Sequence, residues 1–323
     1  MKKRVTSFGL IGLMFFSLVG CGSSQSGAET NFPDGTIEMV VPYDAGGGTD
    51  NAARIVSDAL SEELGVKVAI VNKPGAGGEI GFTEIANAKP DGYTIGVLGS
   101  PDYQYLTATK ETDYSLDDFD YLAAYNRSLP MIIAREGSFK SLEEMFEYGK
   151  ENPGEVTLGA SGGGPKTEAA MTMHYGEFEG TIVDFTGSAE TVKALLAGDI
   201  DAGMLTPSYL PTLSPEGAEP LAYFTEEKVE DYEEVPSFQE LGFEVDIAHN
   251  PVFVLPTGVP EEVREVIMEA MNKVGEKSEV KEQFEEINTV YKYMEGEELE
   301  EYSDSLLEII ETMADEYEEA FKN

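Results

Sequence analysis

Three glycine-rich stretches constrain this chain more than any other feature. They are Pro42-Tyr43-Asp44-Ala45-Gly46-Gly47-Gly48-Thr49-Asp50-Asn51, Asn72-Lys73-Pro74-Gly75-Ala76-Gly77-Gly78 and Ala160-Ser161-Gly162-Gly163-Gly164. Glycine loses more backbone freedom on folding than any other residue, so such runs need a reason. Each lies between a strand-like run and a helix-like one. In open α/β sheets that junction is the carboxyl edge, where ligands bind. The helix that follows offers unpaired backbone N–H groups and a partial positive charge, which suit an anion. A simple tight turn explains any one loop, whereas three at equivalent places argue for a binding cleft.

The segments around the loops alternate. Residues 37–41 read as a buried strand, and 49–64 carry an apolar helical stripe that Gly65 stops. A strand is expected over 66–71, a helix over 79–88 and a strand over 93–98. This βαβαβ order predicts a parallel sheet with helices on its faces. The theme repeats with strands at 129–134, 156–160, 181–185 and 201–205. Helices are expected at 141–150, after the stretch Ser161 to Pro165 through about 175, and at 189–197. Ser141 followed by Glu144 is a helix-start signal. A strand near 251–255, a helix opened by Pro260 and Glu261, and a long acidic helix over 297–321 complete the pattern.

The charge excludes one class of partner. With 21 Lys+Arg against 62 Asp+Glu, the 323-residue chain carries a formal charge of -41. Nucleic-acid binding needs a basic face, so none is expected. The 41% hydrophobic content is enough for real cores, and the length suits about two domains. The N-terminus reads as an address: Lys2, Lys3 and Arg4 precede an apolar run over 8–19 that is too short to span a bilayer. Leu18-Val19-Gly20-Cys21 resembles a bacterial lipoprotein signal, with lipid expected on Cys21, the only cysteine. Residues 21–31 read as a flexible tether. Acyl chains on Cys21 would hold the protein at the outer face of the cell membrane.

Familiar catalytic and cofactor motifs fit poorly. The P-loop pattern fails at Pro165, and the dinucleotide fingerprint fails at Ile80. Gly159-Ala160-Ser161-Gly162-Gly163 matches the nucleophile-elbow pattern, and Asp184 or Asp199 with His249 could complete a triad. Further glycines and Pro165 intervene, however, where an elbow starts its helix. His174 and His249 are the only histidines, and neither has metal-ligand spacing. No cofactor and no metal are expected.

The order and spacing of the loops resemble the extracytoplasmic solute receptors of tripartite tricarboxylate transporters. The resemblance runs through Val41 to Asp50, Asn72 to Gly78, Pro90-Asp91-Gly92-Tyr93-Thr94, Asp118-Phe119, Asn152-Pro153-Gly154 and Ala160 to Gly164. It continues through Gly187-Ser188, Leu195 to Asp201, Val235-Pro236-Ser237 and Glu240-Leu241-Gly242. It implies a two-lobed α/β fold of the type II periplasmic-binding-protein kind, with a ligand cleft between the lobes. Lobe 1 would take 32–130 plus 249–323, and lobe 2 would take 131–248, after a signal peptide over 1–20.

In such receptors the first two loops grip one ligand carboxylate and the second lobe sets specificity. Carried onto this chain, Tyr43, Gly47, Gly48, Thr49, Asp50, Gly77 and Gly78 form the carboxylate side. Ser161, Gly163, Thr186, Gly187 and Ser188 face them. The resemblance implies a monomeric, non-enzymatic receptor that closes on a small organic acid and delivers it to membrane subunits. The acid would be a di- or tricarboxylate, an aromatic acid or an amino acid. A sensor lipoprotein presenting ligand to a two-component system is an alternative, and a secreted serine hydrolase using Ser161 is another.

Several positions depart from the usual pattern: Asp44-Ala45 for Ala-Pro, Thr186 for lysine, and Pro165 and Glu168 for Ser and His. The changes add negative or remove positive charge near the expected cleft. A ligand with an amino group, a bound cation or fewer carboxylates would each account for them, as would general acidic bias at Asp44. Removing Asp50 is expected to weaken binding without unfolding the chain.

Overall fold

A computed structural model describes residues 32–287 and 289–321. The expected signal peptide, tether and Cys21 lie outside the described residues. The first sheet begins with β1 (Ile37–Val41), whose apolar run is buried on both faces, as a strand covered by helices must be. β2 (Val68–Asn72) and β3 (Thr94–Ser100) lie parallel to it on either side. α1 (Gly48–Leu64) and α2 (Glu79–Ala86) make the connections, and Gly65 caps α1 as the sequence predicts.

α3 (Asp102–Thr109) and the nine-residue β4 (Phe119–Arg127) follow. Residues 128–130 then carry the chain into a second sheet at β5 (Met131–Ala134). There α4 (Leu142–Glu151), β6 (Val156–Ala160), α5 (Gly163–Gly176), β7 (Gly180–Asp184), α6 (Ser188–Ala197) and β8 (Ala202–Leu205) repeat the strand–helix theme. Ser141 does cap α4, accepting from Glu144 N at 3.2 Å. The short α7 (Leu210–Leu213) and β9 (Glu219–Tyr223) end this part.

The chain returns through β10 (Asn250–Pro256), α8 (Glu261–Glu276), α9 (Ser278–Glu286) and β11 (Val290–Glu295). It closes with α10 (Gly296–Glu316) and α11 (Glu318–Phe321). Among the described residues no helix is long and apolar enough to cross a membrane.

The strand orders are β11-β4-β10-β3-β1-β2 and β7-β6-β8-β5-β9. Each sheet is mixed rather than wholly parallel, which corrects the sequence expectation. β10 runs antiparallel to both β3 and β4, and β5 runs antiparallel to both β8 and β9. The physical reason is the short link between the sheets. A parallel neighbour needs a long crossover, whereas a strand arriving straight from the other sheet enters at the carboxyl edge and runs back. Because β4 leaves at that edge and β5 enters at that edge, the carboxyl edges of the two sheets face each other. Ser128 and His249, on the outgoing and returning links, pair as an isolated antiparallel bridge.

Among the described residues, three apolar clusters hold this arrangement. One covers the outer face of the first sheet, where Val56 and Leu60 of α1 meet Ile267 and Met271 of α8. Another covers the second sheet with Leu195, Leu210 and Leu213. The third runs from one sheet to the other through α3, α5 and α10, and includes Leu98, Tyr103, Leu106, Leu158, Met171, Leu299 and Leu306. On α10 the buried positions 299, 303, 306, 310 and 313 form one helical stripe. Each fully buried Leu or Phe contributes about 1.5–3 kcal/mol. Ser303 within that stripe is polar, and its hydroxyl meets Tyr103 Oη at 2.7 Å.

Candidate functional site

The first glycine loop is held from behind. Asp50, fully buried in the first turn of α1, accepts from Gly46 N at 2.8 Å and from Arg54 Nε at 2.8 Å and Nη2 at 3.0 Å. Asn72 Nδ2 reaches Asp50 Oδ1 and the Tyr43 carbonyl, both at 2.9 Å. Burial alone would push the Asp50 carboxyl up. Hydrogen bonds from Arg54, Asn72 and Gly46 together outweigh it and hold the group below its ordinary value. Asp50 thus ties the loop to β2 from behind.

Tyr43 leaves this loop inward. Its ring crosses Gly99, where a Cβ would sit 2.0 Å from the phenol oxygen, so only glycine leaves room. Burial, with Asp102 beside it, pushes the phenol well above its ordinary value and keeps it a proton donor. That proton goes to Asp102 Oδ2 at 3.0 Å.

Asp102 opens α3 in the first part of the molecule, yet its other oxygen serves the second part. Oδ1 accepts from Gly164 N at 3.0 Å, in the first turn of α5. The glycines of the third loop make this approach possible. A Cβ on Gly163 would lie 2.3 Å from Tyr105 Cγ, and one on Gly164 2.9 Å from Pro101 Cγ and 3.1 Å from His249 Nε2. They admit α3 and its neighbours, not only a ligand.

One further contact joins the returning link to α5. His249 Nε2 stands 2.5 Å from Glu168 Oε1, and Glu168 is fully buried. Burial would push the imidazole down, but the charge and hydrogen bond of Glu168, with Asp102 beyond, raise it above its ordinary 6.5. A raised folded value means the pairing contributes fully below 6.5 and is lost as pH rises through the folded value. Thermal unfolding followed from about pH 6 to about pH 8 should show falling stability, in a window where carboxylates and lysines hold their charge. Glu168→Gln should flatten that slope. A wild-type midpoint independent of pH across the window would refute the assignment.

The facing edges enclose a cavity of about 300 Å³. The first part of the molecule supplies Tyr43, Gly48, Thr49, Asn51, Gly99 to Asp102, and Ile287 and Thr289. Ser128 and His249 come from the links, and Asn250 and Pro251 from the start of β10. Ser161, Pro165, Ser188, Met204 to Thr206, Ser208 and Tyr209 close it from the second sheet. Ser161 Oγ and Ser188 Oγ lie 3.2 Å apart, at the amino ends of α5 and α6. Hydroxyls and amides dominate the lining, Asp102 is its acid, and no Lys or Arg is among the described lining residues. Asn250 is 1% exposed, and neither its Nδ2 nor its Oδ1 has a hydrogen-bond partner among the described residues.

Of the residues singled out from sequence, Tyr43, Gly48, Thr49, Ser161 and Ser188 line the cavity. The others stand outside its lining. Gly47 caps α1, and Asp50 lies behind the loop. Gly77 and Gly78 form the turn into α2, where Gly78 has φ +101° above the Phe82 ring. Gly163 packs on Tyr105, Thr186 binds Glu190 through its amide and hydroxyl, and Gly187 caps α6. Asp44 is exposed and outside the lining.

The hydrolase alternative loses its pairing, since Ser161 meets Ser188, His249 meets Glu168 and Asp184 meets Lys166 at 2.7 Å. Sequence reasoning missed Asp102 and Asn250. Ser100-Pro101-Asp102 carries the same strand-end signal as the glycine loops, but without glycines to mark it.

Residues 52–308 match the tripartite tricarboxylate transporter family receptor. The chain is 27% identical over 279 residues to the UPF0065 protein in the gbd 5' region of Cupriavidus necator, covering 84% of each. A TctC solute binding protein from Polaromonas, solved with no ligand, is 26% identical with a TM-score of 0.74, over 88% of this chain and 99% of that one. An R. palustris protein solved with adipate is 22% identical, with a TM-score of 0.75 over 88% of this chain and 97% of that one, a likeness of fold. The two-lobed fold and the resemblance read from the loops are borne out together. This chain belongs to the tripartite tricarboxylate transporter receptor family.

Proposed function

We propose that this receptor captures a small organic carboxylate outside the cytoplasm and delivers it to the membrane subunits of a tripartite tricarboxylate transporter. The lobes would be 32–130 with 249–323, and 131–248. They would close on the ligand as a monomer held to the membrane by lipid on Cys21. The observation that carries this reading is the cavity of about 300 Å³ between facing carboxyl edges, where the amino end of α1 meets hydroxyls of the second sheet. That volume suits a small ligand. Closure strengthens the anion site, because N–H donors shielded from water attract charge more strongly than exposed ones.

Within the cavity Gly48 and Thr49 would receive the carboxylate, with Tyr43, Ser161 and Ser188 around it. The adipate-bound neighbour is in keeping with an acid of this size. A dye-based thermal-shift screen on ligand-stripped protein tests the reading, using mono-, di- and tricarboxylates, aromatic acids and amino acids. A ligand at about one hundred times its Kd should add about 2.7 kcal/mol and raise the midpoint by about 4 °C. Gly48→Val should lose most of that shift while keeping the ligand-free midpoint. If no acid moves the wild-type midpoint, the carboxylate reading fails.

A further inference from the structure

Ser161 and Pro165 at the amino end of α5 line the second half of the cavity, and the helix end beside them would offer a second ligand carboxylate backbone N–H donors. That seat is filled by the protein. Asp102 Oδ1 accepts from Gly164 N at 3.0 Å, while Tyr43 Oη fixes Oδ2 at 3.0 Å. No Lys or Arg among the described lining residues offsets the charge, and His249 is already engaged with Glu168. A second anion placed there would meet a like charge in a confined space.

Asn250 supplies an independent observation. It is 1% exposed, it lines the cavity, and both atoms of its amide lack partners among the described residues. Leaving a buried amide unpaired costs about 1–3 kcal/mol, so the bound state should supply both a donor and an acceptor. This holds whichever way the amide is turned. A dicarboxylate at neutral pH offers acceptors only and leaves Asn250 Oδ1 facing an anion. A molecule with one carboxylate and one ammonium satisfies both atoms and brings a cation toward Asp102.

Resting on the carboxylate-receptor reading, we infer that the ligand is an amino-bearing monocarboxylate and that Asp102 and Asn250 set this preference. Asp102 does so by occupying the anion seat of α5, and Asn250 by requiring a donor from the ligand. Asp44 is exposed and outside the cavity lining, whereas Asp102, which the sequence did not mark, lines it.

Matched pairs of equal length test the inference by titration calorimetry on ligand-stripped protein. Suitable probes are adipate against 6-aminohexanoate, glutarate against 5-aminopentanoate, and succinate against 4-aminobutanoate, with L-glutamate and L-glutamine added. Wild type should bind the best amino acid about tenfold or more tightly than the diacid of the same length. Asp102→Asn should shrink or reverse that ratio, and Asn250→Leu should weaken the best ligand about tenfold. A wild type that binds diacids more tightly than amino acids overturns the inference and leaves the receptor reading standing. So does an Asp102→Asn protein that keeps the wild-type ratio. If Asp102→Asn does not fold, the wild-type ranking alone decides. If no probe of either series binds, this inference falls, and the wider thermal-shift screen decides the carboxylate reading.

Discussion

Arg127→Met should lower the stability of the folded protein by about 3 kcal/mol, the low end of what breaking a buried ion pair costs. Arg127 ends β4, and its side chain is 2% exposed. Its Nη1 donates to Glu227 Oε1 at 2.6 Å and its Nη2 to Asp246 Oδ1 at 2.9 Å, so the outgoing link grips the returning one. The guanidinium also lies 5.4 Å from the Tyr302 ring centroid on α10, whose hydroxyl accepts from Ala248 N at 3.1 Å. Burial alone would weaken the charge, but Tyr302, Asp246 and Glu227 more than offset it and raise the guanidinium above its ordinary value.

Methionine keeps the apolar stem and removes the fork, leaving two carboxylates without their cation. Both are about one-third exposed and can regain water, which is why the loss should stay near the low end. Urea unfolding should show it, with a midpoint on heating lower by about 5 °C. Arg127→Lys keeps charge without the bidentate geometry and should fall between. A loss below about 1 kcal/mol in Arg127→Met would mean the cluster does not hold the links together.

Asp50→Ala should also cost about 3 kcal/mol, because it removes the acceptor for the charged and neutral hydrogen bonds of Gly46, Arg54 and Asn72 at once. Sequence alone suggested that this change would spare the fold, and burial of the carboxylate argues for a stability cost instead. The lowered carboxyl also fixes the acid response. Its contribution is present above the ordinary 3.8 and is lost as pH falls through the lowered folded value, since the unfolded chain takes up the proton first. Asp50→Asn should therefore flatten part of the acid limb of stability against pH. Unchanged urea stability with lost binding in Asp50→Ala would return Asp50 to direct ligand contact.

The alternation of strands and helices was legible because it is written in local periodicity. β1, α1, α4 and β6 fall within a residue or two of their expected bounds. α3 and β4 left no such trace. α3 is wedged between α5 and α10, with Tyr103, Gln104, Tyr105 and Leu106 buried in succession, so no polar face marks its period. β4 is a central strand between β10 and β11, buried along most of its length, and its Phe-Asp-Tyr-Leu-Ala-Ala-Tyr-Asn-Arg run does not alternate. The mixed sheets were hidden for a related reason. Strand direction depends on which edge a link enters, and composition does not record it.

The candidate site divides in the same way. Glycine-rich strand ends marked the walls of the cavity, because a turn from strand to helix needs particular residues at adjacent positions. Those local demands were enough to place Tyr43, Gly48 and Thr49 on one wall of the cavity and Ser161 and Ser188 on the facing one. Which carboxylate lines the cavity was not a local matter. Asp44 and Asp50 sit in the marked loop, yet one is exposed and the other is buried against Arg54 and Asn72. Asp102 reaches Tyr43 across 59 positions and Gly164 across 62, and His249 reaches Glu168 across 81. The first arises because β1 and β3 are neighbours in one sheet, the others because α5 of the second sheet is brought against the first, and a one-dimensional pattern carries no term for either.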